Sequence, residues 1–310
     1  MAEITVLLAT YNGADFIRQQ VDSILRQTYP DFRLVLSDDG SSDNTVRLLE
    51  SYAQKHPDKI IHYRSGRRFG CAQAHFMHLL AVFHDTPYIM FSDQDDVWHP
   101  DKIERTLNKM KAVESDPTLP AMVHTDLRVV DGALREISPS FCKLSHLDGN
   151  RMALNHLIVQ NVVTGCTAML NRALAELGSR TPSDEPMLMH DWWLAILASA
   201  VGTVGFLSEP TIDYRQHGRN SVGAKNARSF SYLWERFSTK DTRKVLIGTA
   251  EQVKRLLAHY GDLLQPEQLA MLQAFAHTID ARRRIRIRTY LKYRIFKYGA
   301  VRVFAQLIGG

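Results

Sequence analysis

The chain has 310 residues, 45% hydrophobic and 23% charged, a balance that supports a sizeable core and excludes a disordered or fibrous protein. Three cysteines (Cys71, Cys142, Cys166) lie far apart, which argues against a zinc site or disulfide framework and suits a reducing cytosol. The net charge of +5 is concentrated: nine Arg and Lys and no acidic residue follow from Ala281 on, leaving about −4 for residues 1–280, so the body is not expected to bind nucleic acid.

A strand-like run starts within a few residues of the N-terminus, leaving no room for a secretory signal. The longest nearly apolar stretch, Leu194 to Leu207, is about 14 residues and holds two glycines, too short to span a bilayer. A soluble or peripheral protein is expected. Residues 3–9 read as a strand, 10–13 as a turn, and 15–26 as a helix with Phe16, Ile17, Val21, Ile24 and Leu25 at helical spacing. Residues 32–37 form a second strand, and Asp43 or Asn44 stands where it can cap a helix over 45–54. A short strand at 60–63, a helix at 71–83, a buried strand at 88–92 and a helix at 100–114 complete the first half. The alternation predicts an open, mostly parallel, doubly wound α/β sheet.

The middle is less regular. Residues 122–130 suggest one strand or two, 131–155 an extended loop, 163–170 a strand, 189–199 a helix and 211–215 a strand. Beyond about residue 226 the pattern is purely helical to near 298. A boundary near 225 separates a sheet-containing domain (halves of about 1–115 and 116–225) from a helical extension at 226–310 with a basic tail.

The chemistry concentrates after successive strands: Thr10-Tyr11-Asn12, then Asp38-Asp39-Gly40-Ser41, then Asp93-Gln94-Asp95-Asp96. Ligands of open α/β sheets gather at the carboxyl ends of strands, so the three clusters should converge. In extended chain Asp93 and Asp95, two apart, project the same way, and two hard oxygen ligands suit a divalent cation carrying a pyrophosphate. Neither a Gly-x-Gly-x-x-Gly turn nor a Walker lysine loop is present, which argues against a dinucleotide enzyme and a P-loop NTPase.

Leu7-Leu-Ala-Thr-Tyr-Asn-Gly13, Ser23-Ile-Leu-Arg-Gln-Thr-Tyr29, Leu36-Ser-Asp-Asp-Gly-Ser-Ser-Asp-Asn-Thr45 and Phe91-Ser-Asp-Gln-Asp-Asp-Val-Trp98 together resemble a family 2 glycosyltransferase of GT-A fold. His190-Asp-Trp-Trp193 and Tyr214-Arg-Gln-His-Gly218 resemble its rhamnosyltransferase-like branch. The likeness covers roughly residues 4–225. It implies that Thr10, Tyr11 and Asn12 lie against the base and ribose of a nucleotide-sugar, with Asp39 on the base and Asp93 near the ribose and metal. It further implies that Asp95 holds Mg²⁺ or Mn²⁺ on the diphosphate, that His217 is a further metal or diphosphate contact, and that Asp191 is the general base. The implied reaction is an inverting transfer, with dTDP-L-rhamnose the favoured donor and a surface polysaccharide or lipid-linked glycan the acceptor, in the cytoplasm. His75-Phe76 departs from the Asn-Phe of many members.

Structural roles compete at several positions. Asp39 could close an Asx-turn, Asp191 could cap its helix, and His217 could serve as a structural donor. Of the adjacent Trp192 and Trp193, at least one should pack in the core. Two other functions are weighed. A sugar-phosphate nucleotidyltransferase would show a Gly-rich, Arg-containing first loop, unlike Ala9-Thr-Tyr-Asn-Gly13. A non-catalytic, membrane-attached nucleotide-binding module would tolerate loss of Asp191. In the tail, Arg284, Arg288 and Lys292 recur every four residues beside Ile287, Leu291 and Ile295. A single helix there would be basic and amphipathic, suited to an anionic membrane surface or to packing on the domain.

Overall fold

The computed structural model describes residues 2–217 and 239–309. The boundary expected near 225, Gly218 and the start of the helical extension lie outside the described residues. Strands β1 (Ile4–Thr10), β2 (Phe32–Asp38), β3 (Ile60–Tyr63) and β4 (Tyr88–Ser92) lie parallel in the order β3-β2-β1-β4. Helices α1 (Ile17–Leu25), α2 (Thr45–Lys55) and α3 (Ala72–Val82) cross between them. The chain winds outward from β1 to β3 and then returns to the other side of β1. The switch point therefore falls between β1 and β4, where an open sheet presents its cleft.

Layering explains the apolar runs. In β1, Ile4, Val6 and Leu8 face a core formed with α1, α2 and α4 (Lys102–Val113), whereas Leu7 faces a second core on the opposite side of the sheet. A strand covered on both faces has no solvent side, so strict apolar–polar alternation disappears.

Beyond β4 the sheet turns mixed, continuing through β8 (Met169–Asn171), β6 (Ala121–Asp131), β9 (Thr203–Gln216) and β5 (Val97–Trp98), with β7 (Glu136–Ser138) paired to β6. Several expectations need correction here. Of the two alternatives for 122–130, the single strand holds, over Ala121–Asp131; the others differ from the expectation. Residues 163–170 are not a continuous strand: Gly165–Thr167 forms a 3-10 turn, with the Thr167 hydroxyl donating to Thr164 O at 2.7 Å, and only then does β8 begin. The supposed loop 131–155 contains β7, α5 (Phe141–Leu144) and the start of α6 (Leu154–Leu157). Strand β9 starts eight residues earlier than expected, and its register against β6 shifts between Thr125↔Leu207 and Asp126↔Pro210. A proline can sit in a strand where a bulge removes the need for its missing N–H. Helix α7 (Arg172–Ser179) was not anticipated; Asn171 caps it by accepting from Leu174 N at 3.0 Å.

Helix α8 (His190–Val201) is buried nearly all round, with both Trp192 and Trp193 in the core. Helices α9 (Thr239–Tyr260), α10 (Pro266–Ala276) and α11 (Arg283–Tyr293) contribute Leu246, Val253, Phe275 and Tyr290 to that same core. The tail is not the single striped helix expected from its spacing. Arg294 adopts a left-handed conformation (φ 53°) and stops α11, after which α12 (Ala300–Gly309) begins. Leu291 is consequently exposed, Ile295 is buried, and Tyr290 is the residue α11 buries.

Candidate active site

The switch point opens into a cleft of about 640 Å³. Thr10, Tyr11, Asp39, Asp93, Asp95 and Asp191 all line it. Buried parallel strands bring the first five together, because each strand stops at the same sheet edge. Asp191 arrives separately, in the first turn of α8.

The β1–α1 turn is fixed from two sides. The Thr10 hydroxyl donates to Asp38 Oδ1 at 2.8 Å, and the Gln94 amide clasps the Tyr11 backbone through both N and O, at 2.9 and 3.0 Å. Asn12 adopts φ 49°, a region Asn tolerates better than most residues. Its side-chain oxygen accepts from Ser42 N at 2.8 Å, so the amide organises the neighbouring loop. The Tyr11 ring is open to the cleft, with the Arg68 guanidinium 5.0 Å from its centre and donating to its hydroxyl at 2.7 Å. Asp39 is buried, accepting from Phe69 N and, at 2.8 Å, from Gly70 N. It thereby pins the 64–71 loop rather than closing a turn within its own loop. His75 also reaches the cleft; its Nε2 lies 2.7 Å from Ser37 Oγ, and burial pushes its pKa down to about 4, keeping it neutral.

The acidic cluster is tighter than the spacing implied. The chain bends after β4, yet Asp93 and Asp95 still share the cleft. Burial, then the nearby Asp95 and Asp191 carboxylates, push Asp93 up to about 7. Asp96, to which sequence reasoning gave no role, is fully buried, and burial raises its carboxyl well above the usual range. One Asp96 oxygen accepts from Arg215 N at 3.2 Å; the other, Oδ2, is buried without a partner among the described residues. Asp93, Asp96 and Cys166 hold ligand atoms within 4.8 Å of one another. His217 Nε2 lies 2.8 Å from Asp95 Oδ2, and its ring stacks on Phe16 at 4.5 Å. The Asp93 and Asp96 carboxylates are hard oxygen donors of the kind Mg²⁺ or Mn²⁺ takes, whereas the Cys166 thiol beside them is soft, and neither Asp95 nor His217 belongs to this trio. Arg215 underpins the cluster, donating to Asp95 O at 2.9 Å and Gln19 Oε1 at 2.6 Å. The only sequence signal for it was its place before His217.

Asp191 is buried, and that burial lifts its carboxyl to about 6 against the pull of hydrogen bonds from Trp192 N, Gly165 N and Asn161. Trp192 N donates to its Oδ1 at 2.6 Å, and Asn161 Nδ2 approaches the same oxygen at 3.4 Å. Gly165 has no room for a side chain: an added Cβ would stand 2.8 Å from His190 Nε2. Asn161 and Gly165 therefore set Asp191 from the side, and neither was singled out for this from sequence.

The family model for glycosyl transferase family 2 matches residues 5–178. The dTDP-rhamnosyl transferase RfbG of Shigella flexneri is 28% identical over 225 residues, covering 70% of this chain and 74% of that relative. Among solved structures, residues 1–349 of S. aureus TarS in complex with UDP-GlcNAc superpose with a TM-score of 0.57 at 16% identity, over 94% of this chain and 80% of that one. The chain spans 43% of the longer S. aureus TarS structure. The mannosyltransferase PcManGT of Pyrobaculum calidifontis, in complex with GDP-Man and Mn²⁺, gives 0.54 at 20% identity, over 99% and 85%. With more than half its length matched and a mixed, mostly parallel sheet like that of these neighbours, the chain belongs to glycosyl transferase family 2 and is a glycosyltransferase of GT-A fold.

Proposed function

We propose that this enzyme transfers a sugar from a nucleotide-sugar to a glycan hydroxyl by one metal-assisted, inverting displacement. The observation that carries the reading is the convergence of Asp39, Asp93, Asp95 and Asp191 on one cleft, with Asp191 alone arriving from a helix. Tyr11, Thr10, Asp39 and Asp93 would take the nucleoside, with Asn12 holding the turn beneath it. Asp95 would hold the cation beside Asp93 and Asp96, with His217 steadying Asp95. When bound, the cation offsets negative charge on the leaving diphosphate without proton transfer.

The remaining chemistry belongs to Asp191. Its carboxylate takes the proton from the acceptor hydroxyl as the new C–O bond forms and the bond to diphosphate breaks, with that electron pair leaving on the diphosphate oxygen. The carbon passes through an oxocarbenium-like state, which one negative carboxylate nearby also favours. A pKa near 6 suits a base at neutral pH: it is ionised, yet basic enough to share a proton.

Similarity to the dTDP-rhamnosyl transferase RfbG favours dTDP-L-rhamnose as donor; the acceptor in this reading is a surface polysaccharide or lipid-linked glycan. Peripheral attachment to the cytoplasmic face of a membrane has its own support. Arg283, Arg284, Arg288 and Lys292 are exposed on α11 beside exposed Ile285 and Leu291. Val301, Phe304 and Ile308 are exposed along α12. Cations with an adjoining apolar stripe match an anionic lipid surface. No described helix is long and apolar enough to cross a membrane. The deciding experiment is a donor screen: full-length protein, Mn²⁺, a panel of nucleotide-sugars, and detection of released nucleoside diphosphate. Release from dTDP-L-rhamnose above all others supports the reading; release from none contradicts it.

A further inference from the structure

Behind the cleft wall, three metal-ligating side chains meet from two distant parts of the chain. Asp93 and Asp96 stand on the bend that follows β4, and Cys166 stands in the Gly165–Thr167 turn that precedes β8. Strands β4 and β8 pair antiparallel, with Met90 opposite Met169, so the end of one lies beside the start of the other. The pairing brings a carboxylate oxygen of Asp93, one of Asp96 and the Cys166 Sγ within 4.8 Å of one another. The turn itself is held: Thr167 donates to Thr164 O through both N and Oγ1, at 2.8 and 2.7 Å, and Ala168 N donates to Gly165 O at 3.0 Å.

Asp93 and Gly165 line the cleft while Asp96 and Cys166 are buried behind them, so the trio is reached past Asp93. Asp96 is wholly buried, and its Oδ2 takes no hydrogen bond among the described residues. The neighbourhood already accommodates positive charge. Lys102 is also wholly buried, its Nζ 3.4 Å from Thr211 Oγ1, and burial pushes its ammonium down to about 8 against the pull of Cys166 and Asp96. Mg²⁺ and Ca²⁺ take oxygen ligands throughout, whereas Zn²⁺ takes thiolate sulfur and carboxylate oxygen together, in sites that can hold three protein ligands and one open position. Two carboxylates and a thiol at the edge of a cleft are a donor set of the second kind.

We propose that Asp93, Asp96 and Cys166 form a second metal site, for a thiophilic dication of the Zn²⁺ class, set behind the Asp95 position of the hard cation. As the metal binds, the Cys166 S–H bond breaks, its electron pair goes to the metal and its proton to solvent. Asp93 is then tied to the inner metal and withdrawn from the nucleotide, so Zn²⁺ should inhibit transfer.

The test uses full-length protein freed of metal by dialysis against EDTA and titrated with Co²⁺. A Co²⁺–thiolate bond gives a near-ultraviolet charge-transfer band, and a four-coordinate Co²⁺ site gives intense visible bands. Both should appear and saturate at about one Co²⁺ per chain. Zn²⁺ should bleach them, and excess Mg²⁺ should not. Cys71 also lines the cleft, so a protein carrying Cys71→Ser and Cys142→Ser is titrated too and should keep the bands. Cys166→Ser should lose the charge-transfer band. Asp96→Asn should weaken Co²⁺ binding by at least the roughly 10–100-fold that loss of an outer-shell partner costs. Asp95→Asn should leave the bands as they are. Unchanged melting temperatures certify the variants, and Cys166→Ala replaces Cys166→Ser if the latter misfolds. A wild type without the charge-transfer band, a band that persists in Cys166→Ser, or bleaching by Mg²⁺ overturns the site. Loss of the bands in Asp95→Asn also overturns it, by placing Co²⁺ at the hard-cation position, whereas a failed donor screen would leave it standing.

Discussion

At one end of the cleft, Asp39, Asp93 and Asp95 follow the carboxyl ends of buried parallel strands; at the other, Lys297 and Arg302 come from the junction of two C-terminal helices. The first group is acidic and the second basic. The contrast shows how one cleft is assembled from two kinds of element: strand ends place the acidic groups, while helices late in the chain supply the basic ones. Asp191 opens a buried helix that shares one hydrophobic core with β1, β4 and the C-terminal helices.

Removing the cation should break the acidic end alone. Excess EDTA should abolish transfer, and Asp95→Asn should lower turnover by roughly 10² or more while the melting temperature holds. Activity at the normal rate in EDTA would sink the metal-assisted mechanism. A pH profile comes next in size. Because Asp191 must be ionised to accept a proton and burial lifts it to about 6, turnover should rise with pH through 6 and then level off. Below 6 the loss should be about ten-fold per pH unit. A flat profile down to pH 4.5 would remove Asp191 from the proton transfer.

A smaller effect separates scaffold from site. Asp213 on β9 accepts from Arg128 Nε at 2.7 Å and lies 2.7 Å from His99 Nε2; despite burial, those hydrogen bonds depress it to about 2. A carboxylate with a lowered folded-state pKa contributes stability above its ordinary value near 4 and loses it as pH falls toward 2. Asp213→Asn should cost roughly 2 kcal/mol at neutral pH, read as a lowered urea midpoint, and should flatten the acid limb between pH 4 and 2. The basic helix gives the smallest step per residue. Each of Arg284, Arg288 and Lys292 changed to Gln should weaken binding to anionic liposomes by about 1 kcal/mol at low salt. A full-length protein that ignores such liposomes would contradict peripheral attachment.

The acidic end was legible in sequence because β1, β2 and β4 are short apolar runs, each ending in a polar cluster, and a parallel sheet aligns such ends. The basic end was not. Lys297 and Arg302 read as part of a uniformly basic tail, and only the left-handed Arg294 and the loop ties of Gln160 and Gln306 turn two of those cations inward. Gly205 and Pro210 interrupt the apolar pattern of β9 and hide its first half, although a register shift against β6 accommodates the proline. Residues 163–170 misled for the opposite reason: Val163 and the apolar 168–170 suggest a strand, but the Gly165-Cys-Thr turn intervenes and brings Gly165 against His190 and Asp191. Asp96 and Asn161 carried no signal of their own, since their roles depend on what the fold packs beside them.

The most direct test of the account is Asp191→Asn, measured for donor affinity by calorimetry and for turnover with the nucleotide-sugar that the screen selects. The change preserves shape and removes the proton acceptor. Turnover should fall by roughly 10²–10⁴, the range for a positioned general base, while donor affinity in Mn²⁺ stays within about two-fold of wild type. Wild-type turnover in Asp191→Asn would contradict the account, leaving Asp191 a structural residue at the start of α8 and the proton to another group.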